Sequence, residues 1–168
     1  MKQNSLRQLV ESFSREEVRY LVVGGLAVNA HGLLRHTADV DLVIDFSPNN
    51  VSRAFTALEK LGYRPMNPVT AGQLADPRMR RAWIDDKGMR VLRFFSDEHR
   101  SVFVDVFVDE PFNFAAEYGN ALTKSLSDGP VVRFVCLETL IRMKEAAGRP
   151  QDLADIAELR RRAVNPRS

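Results

Sequence analysis

The sequence predicts an α/β (α+β) domain with a small mixed β-sheet, helices mainly on one face and further helices at the C-terminal end. Three observations lead there. Short β-branched runs are interleaved with segments of helical period, yet the order is not a regular βαβ repeat. The pair Gly24-Gly25 closes a strand-like run, but Leu26-Ala27-Val28 follows it, so the G-x-G-x-x-G turn of a doubly wound dinucleotide fold is absent. The 168 residues are 45% hydrophobic, enough to bury one core of ordinary size.

Taken in order, Leu6, Leu9, Val10 and Phe13 recur at helical spacing and predict a helix over 5–18 with Ser5 as N-cap. Tyr20 to Val23 reads as a short buried strand. Gly24-Gly25 then turns the chain into a short helix, Leu26 to His31, which Gly32 closes. Residues 35–45 form a second strand. Ser47-Pro48 opens a helix whose apolar stripe is Val51, Ala54, Phe55, Leu58 and Leu61, ending at Gly62. Pro65, Pro68, Gly72 and Pro77 break up residues 63–80, which are expected to be loop with one or two helical turns. Arg90 to Phe95 and Ser101 to Val108 are strand-like, joined by a hairpin loop at Asp97 to Arg100. Val131 to Val135 suggests one end of a second hairpin. Two helices, Leu137 to Ala147 and Gln151 to Arg162, close the chain. The implied organisation is one domain, with a core over 1–135 and a helical segment over 136–168 packed on it.

Charge and cysteine content limit the partners. Lys and Arg number 24 against 22 Asp and Glu, a near-neutral balance that by itself points to neither membrane nor nucleic acid. Basic residues concentrate at 78–93, where Arg78, Arg80, Arg81, Lys87, Arg90 and Arg93 face only Asp85 and Asp86. That run is either a solvated face or a surface for phosphates. One cysteine, Cys136, excludes an internal disulfide and fits a reducing compartment, so the expected location is the cytoplasm. No apolar stretch is long enough to span a bilayer, and Met1 to Ser5 leads into an amphipathic pattern rather than a signal core.

The chemistry concentrates in Arg35-His36-Thr37-Ala38-Asp39-Val40-Asp41-Leu42-Val43-Ile44. On an extended strand Arg35, Thr37, Asp39 and Asp41 share one face, and Val40, Leu42 and Ile44 the other. Two carboxylates on one face repel, and a divalent cation such as Mg2+ relieves that repulsion. Asp105 lies inside the apolar run Val102 to Val108, where an unpartnered carboxylate would be costly. It is either a third metal ligand or a carboxylate that reaches solvent or an arginine. The glycine turn opening a helix offers backbone N–H groups to an anion, a triphosphate in this setting. Lys144 continues the Leu137, Leu140, Ile141 stripe and so points along the core edge, either snorkelling or reaching phosphate. Asp152 and Asp155 are placed to orient Lys144 or Arg149, or to serve as acids at a helix start.

Together these residues resemble the DNA polymerase β-like nucleotidyltransferases, whose pattern is Gly-[Gly or Ser], Asp-x-Asp and a later third carboxylate. Here Gly24-Gly25, Asp39-x-Asp41 and Asp105 match it. The block Val22 to Val28, with His31-Gly32 and Arg35-x-Thr37, is similar to the small bacterial branch of AbiEii-type toxins of toxin-antitoxin systems. Lys144 to Asp155 resembles that branch's lysine, arginine and aspartate segment. The resemblance implies a nucleotidyltransferase core moving a nucleoside monophosphate from an NTP, ATP among the candidates, to an acceptor hydroxyl, with release of pyrophosphate. It implies two ions, Mg2+ or Mn2+, on Asp39, Asp41 and Asp105, and a triphosphate on Gly24, Gly25, Arg35, Thr37 and Lys144. It implies as acceptor a tRNA end, a protein or a small molecule, and as partner an antitoxin. Gly25 stands where many active members carry serine. The alternative from another class is a non-catalytic module that binds nucleotide or a partner on the same fold.

Overall fold

The computed structural model describes residues 2–166, with no account of the Lys2 and Gln3 side chains; Met1, Arg167 and Ser168, which the expected domain bounds and N-terminal reading include, lie outside it. Among the described residues a seven-stranded sheet has the order β3-β4-β5-β2-β1-β7-β6. Its strands are β1 (Tyr20–Val23), β2 (Val40–Ile44), β3 (Tyr63–Pro65), β4 (Val91–Ser96), β5 (Val104–Phe107), β6 (Leu122–Ser125) and β7 (Val131–Phe134). β1 is antiparallel to β2 and parallel to β7, β2 is parallel to β5, and β4 is antiparallel to β5. This is the mixed sheet that the irregular element order implies.

The helices are α1 (Lys2–Arg15), α2 (Gly24–Ala30), α3 (Pro48–Glu59), α4 (Ala71–Ala75), α5 (Pro77–Lys87), α6 (Phe114–Gly119), α7 (Leu137–Ala147) and α8 (Pro150–Val164). Apolar burial holds the layers together. Leu21, Val22 and Val23 of β1 are inaccessible, and Leu9, Phe13, Val51, Leu58, Leu140 and Leu159 join them in one core. Burying a side chain of this size stabilises the fold by about 1.5–3 kcal/mol each before conformational entropy is counted. Leu140 and Leu159 thereby tie the last two helices to the sheet.

Three local expectations need correction, and a fourth is borne out. The opening helix starts at Lys2 and ends at Arg15, before Glu17 takes a positive φ of 54°. The second strand starts at Val40 rather than at residue 35, because β1 ends at Val23, opposite Asp41, and leaves residues 35–39 without a ladder partner. Residues 77–87 are a helix, since Pro77 occupies the first turn, where its missing N–H is harmless, and the Asp76 side chain caps Arg78 N. The second hairpin is present with one end at Val131–Phe134 as expected, and its other strand is Leu122–Ser125, an exposed edge with little apolar signal.

Candidate active site

The register of three strands builds the site. Asp41 of β2 stands opposite Asp105 of β5, and Asp105 stands opposite Arg93 of β4, so the three lie in one row across the sheet. Asp105 is only 5% exposed. Arg93 takes both of its oxygens, donating from Nε to Oδ1 at 2.8 Å and from Nη2 to Oδ2 at 2.6 Å. The same Nη2 donates to Asp39 Oδ2 at 3.1 Å. The guanidinium carbon lies 4.8 Å from the centre of the Phe103 ring. Of the two readings of Asp105, the structure shows the carboxylate paired with an arginine.

Asp41 carries the electrostatic load. Burial, then the neighbouring Asp105 and Asp39 carboxylates, push its pKa up to about 6, against the opposing pull of Arg93 and Arg149. Its position depends on Gly24, where the chain turns from β1 into α2 with φ +65°. A Cβ built there would lie 2.2 Å from Asp41 Oδ2, so glycine alone leaves room for the carboxylate against the backbone. At Gly25 a Cβ would come within 2.9 Å of both Cβ and Oγ1 of Thr37. The Thr37 hydroxyl thus fills the space a serine side chain at position 25 would need. This gives Gly25 a packing reason of its own.

Residues 31–39 are not a strand face but a loop with its own anchors. Asn29 holds Arg35 at both backbone groups, through Nδ2 to the Arg35 carbonyl at 3.0 Å and from Arg35 N to Oδ1 at 2.8 Å. His31 Nε2 lies 2.8 Å from the Val135 carbonyl. Arg35 and Thr37 therefore do not share a strand face with Asp39 and Asp41. Thr37 packs against Gly25, and the Arg35 side chain reaches Asp155.

A second ionic cluster lies on α7 and α8. Lys144 is 6% exposed, with Nζ donating to Asp155 at 2.8 Å and to Asp152 at 3.2 Å. Arg149 donates from Nε to Asp152 at 2.7 Å, and Gln151 to Asp155 at 2.9 Å. Burial alone would raise the pKa of Asp152 and Asp155, but the hydrogen bonds from Arg149 and Lys144 to the first, and from Lys144 and Gln151 to the second, hold both below the usual range. Lys144 is committed to these two aspartates. Arg149, with its side chain 76% exposed and its field felt at Asp41, and Arg35 are the outward cations of the cluster.

The basic run at 78–93 keeps Arg78, Arg81, Lys87 and Arg90 exposed, while other members are drawn into the fold. Arg80 is buried against the Phe46 ring and donates to the Leu74 carbonyl, Arg81 pairs with Asp85, and Arg93 belongs to the site. Reading the run as a charge segment missed Arg93, although a hairpin folded about His99 pairs it with Asp105.

Three carboxylates of hard oxygen donors, two on neighbouring strands and one at a strand start, fit a divalent cation in chemistry. The raised Asp41 pKa, set by burial first and by the neighbouring carboxylates second, and the guanidinium that already bridges Asp39 and Asp105 both mark the place as one that favours positive charge. Among the described residues, no group of three such ligands is gathered closely enough to form a preassembled metal cage.

By family the chain is a nucleotidyltransferase, and it carries a mixed sheet with a glycine turn set against a strand aspartate and a further carboxylate on the next strand. It belongs to the family described as nucleotidyltransferase of unknown function (DUF6036), whose model matches residues 3–162. The fold is similar to that of ANT(2″)-Ia in complex with adenylyl-2″-tobramycin, with a TM-score of 0.58 and 14% identity over 94% of this chain and 86% of that one. The comparison with curated proteins found no match. No helix among the described residues is long and apolar enough to cross a membrane.

Proposed function

We propose that the protein transfers a nucleoside monophosphate from an NTP to an acceptor hydroxyl in a Mg2+-dependent reaction that releases pyrophosphate. The row formed by Asp41 and Asp105, with Asp39 joined to it through Arg93, is the observation that carries this reading. Asp39 and Asp41 would hold both ions and Asp105 the ion nearer the acceptor. When bound, such ions supply Lewis-acid charge to the triphosphate and lower the pKa of the attacking hydroxyl.

The chain's own residues supply position. Gly24 and Gly25 let the triphosphate approach the backbone, Thr37 offers its hydroxyl beside Gly25, and Arg35 and Arg149 face it with positive charge. Lys144 contributes through Asp152 and Asp155, which hold Arg149 and Arg35 in place. In this reading residues 1–135 are the catalytic core, and residues 136–168 deliver the cation cluster.

For the acceptor we favour a tRNA end, on the likeness of the glycine and aspartate blocks to the AbiEii branch. The same likeness makes the protein a toxin acting in the cytoplasm, with an antitoxin as partner. A small polyhydroxylated molecule is the second reading, favoured by the fold's similarity to ANT(2″)-Ia with its adenylylated tobramycin. The test incubates wild type and an Asp39→Ala, Asp41→Ala double variant with each α-labelled NTP and Mg2+. Total tRNA, a protein extract and an aminoglycoside serve as separate acceptors. Label appearing with wild type only supports transfer and names the acceptor class. Partner or nucleotide binding without label in any reaction returns the protein to the non-catalytic module.

A further inference from the structure

We propose that Arg93 is an internal counter-cation that latches Asp105, and that a divalent ion must displace its guanidinium before Asp105 can act as a ligand. The inference rests on the metal-dependent reading above and adds to it a residue that governs when the third carboxylate is available.

The geometry is specific. Arg93 engages both Asp105 oxygens in a fork at 2.8 and 2.6 Å, the arrangement in which a guanidinium neutralises a carboxylate most completely. Asp105 is buried, so in the absence of metal some cation has to stand beside it. The pairing is written into the sheet, since residues 93 and 105 face each other across the β4–β5 hairpin. Arginine stays charged at any physiological pH, so the latch does not open by losing a proton. The Arg93 side chain is nevertheless 39% exposed and lies along the Phe103 ring, which gives the guanidinium a solvent route and a flat surface to rest on when it leaves Asp105.

The consequence concerns order of binding. With Arg93 in place, the row retains charge for one dication near Asp39 and Asp41, while Asp105 is already neutralised. The ion that uses Asp105 has to displace Arg93, and an incoming phosphate that attracts the guanidinium favours that displacement, which ties completion of the site to substrate. A latch of this kind protects a buried carboxylate in the resting protein and suppresses metal binding that lacks nucleotide.

The test is Mn2+ binding by electron paramagnetic resonance, without nucleotide, in wild type and Arg93→Met, together with melting temperatures in EDTA and in Mn2+. Met keeps the bulk over Phe103 and removes the charge. The expected result is about tenfold tighter Mn2+ binding, or a second bound ion, in Arg93→Met. Its melting temperature falls in EDTA and gains more from Mn2+ than wild type does. Equal or weaker Mn2+ binding in Arg93→Met overturns the latch and leaves the transferase reading intact, whereas Mn2+ binding by neither protein overturns both. Should Arg93→Met fail to fold, Arg93→Lys keeps the charge but loses the fork. Affinity above wild type then supports the latch, and affinity equal to wild type overturns it.

Discussion

Replacing Asp41 by Asn should make the metal-free protein more stable while abolishing its chemistry. The Asp41 carboxyl is pushed from 3.8 up to about 6 by burial and by Asp105 and Asp39. Each tenfold change in proton affinity corresponds to about 1.4 kcal/mol, so ionising this group in the folded protein costs about 3 kcal/mol. The sign follows from linkage. The folded protein holds the proton more tightly than the unfolded chain, so the stability that protonation confers is fully present below pH ~4. It is lost as pH rises to about 6, and the loss levels off above that. Asn cannot ionise, so Asp41→Asn escapes the loss. Its advantage should be about 3 kcal/mol at pH 7.5 and about a third of that at pH 4.5, or roughly 6–12 °C in melting temperature at the higher pH for a domain of this size. Thermal unfolding in EDTA at the two pH values measures it. A variant no more stable than wild type at pH 7.5, or equally advantaged at both values, would refute the argument that burial and the neighbouring aspartates strain the ionised Asp41. Loss of transfer alongside the gain would identify the instability as part of function.

Two other perturbations probe the supports of the site. Lys144→Met removes the cation shared by Asp152 and Asp155, and because both aspartates are buried the loss should be about 3 kcal/mol in urea unfolding, near the lower end for a broken buried pair since Arg149 and Arg35 remain. A change below about 1 kcal/mol would mean that the two arginines suffice. Gly24→Ala places a methyl group 2.2 Å from Asp41 Oδ2 at a φ of +65°, so it should lower both stability, by about 1–2 kcal/mol or more, and nucleotide transfer; an Ala variant with full activity in the labelling assay would separate Asp41 from the turn.

Much of this architecture was legible in the sequence where a period and a stop signal coincide. The helix ending before Gly62 and the two terminal helices follow apolar stripes bounded by glycine or proline, and the strand before Gly24-Gly25 is a short apolar run with every residue buried. The helix at Pro77–Lys87 was hidden for a physical reason. Its buried positions are Arg80 and Trp83, so a charged residue occupies a place that a hydrophobic pattern would mark, and its proline is a starter rather than a breaker. The edge strand Leu122–Ser125 is nearly all exposed and gave no alternation to read. In the site, the acidic residues stand out because carboxylates are unexpected in apolar runs. Their partners do not, because an arginine in a basic stretch looks like surface until the hairpin register sets it against Asp105. The same limit applied to Arg35, whose partner Asp155 is 120 residues away along the chain.

The two ionic clusters explain each other once their charges are considered together. Around β2 and β5, three carboxylates oppose one guanidinium, which leaves a net charge of two negatives, the complement of a single dication. On α7 and α8, with Arg35 brought in from the loop, three cations oppose two carboxylates, which leaves one positive charge directed outward by Arg149 and Arg35. A metal-bound triphosphate carries both complementary signs, positive at the ion and negative along the phosphates. The charge of Arg149 works against the rise in the Asp41 pKa, and Asp41 helps raise that of Arg149, so the two clusters are electrostatically coupled. Lys144 belongs wholly to the second cluster, bonded to Asp152 and Asp155. A free lysine beside Asp41 would compete for the carboxylate that a metal needs, whereas a lysine fixed between Asp152 and Asp155 strengthens the second cluster without neutralising the first. If the proposed function holds, the aspartates of α8 serve nucleotide binding through the arginines they hold.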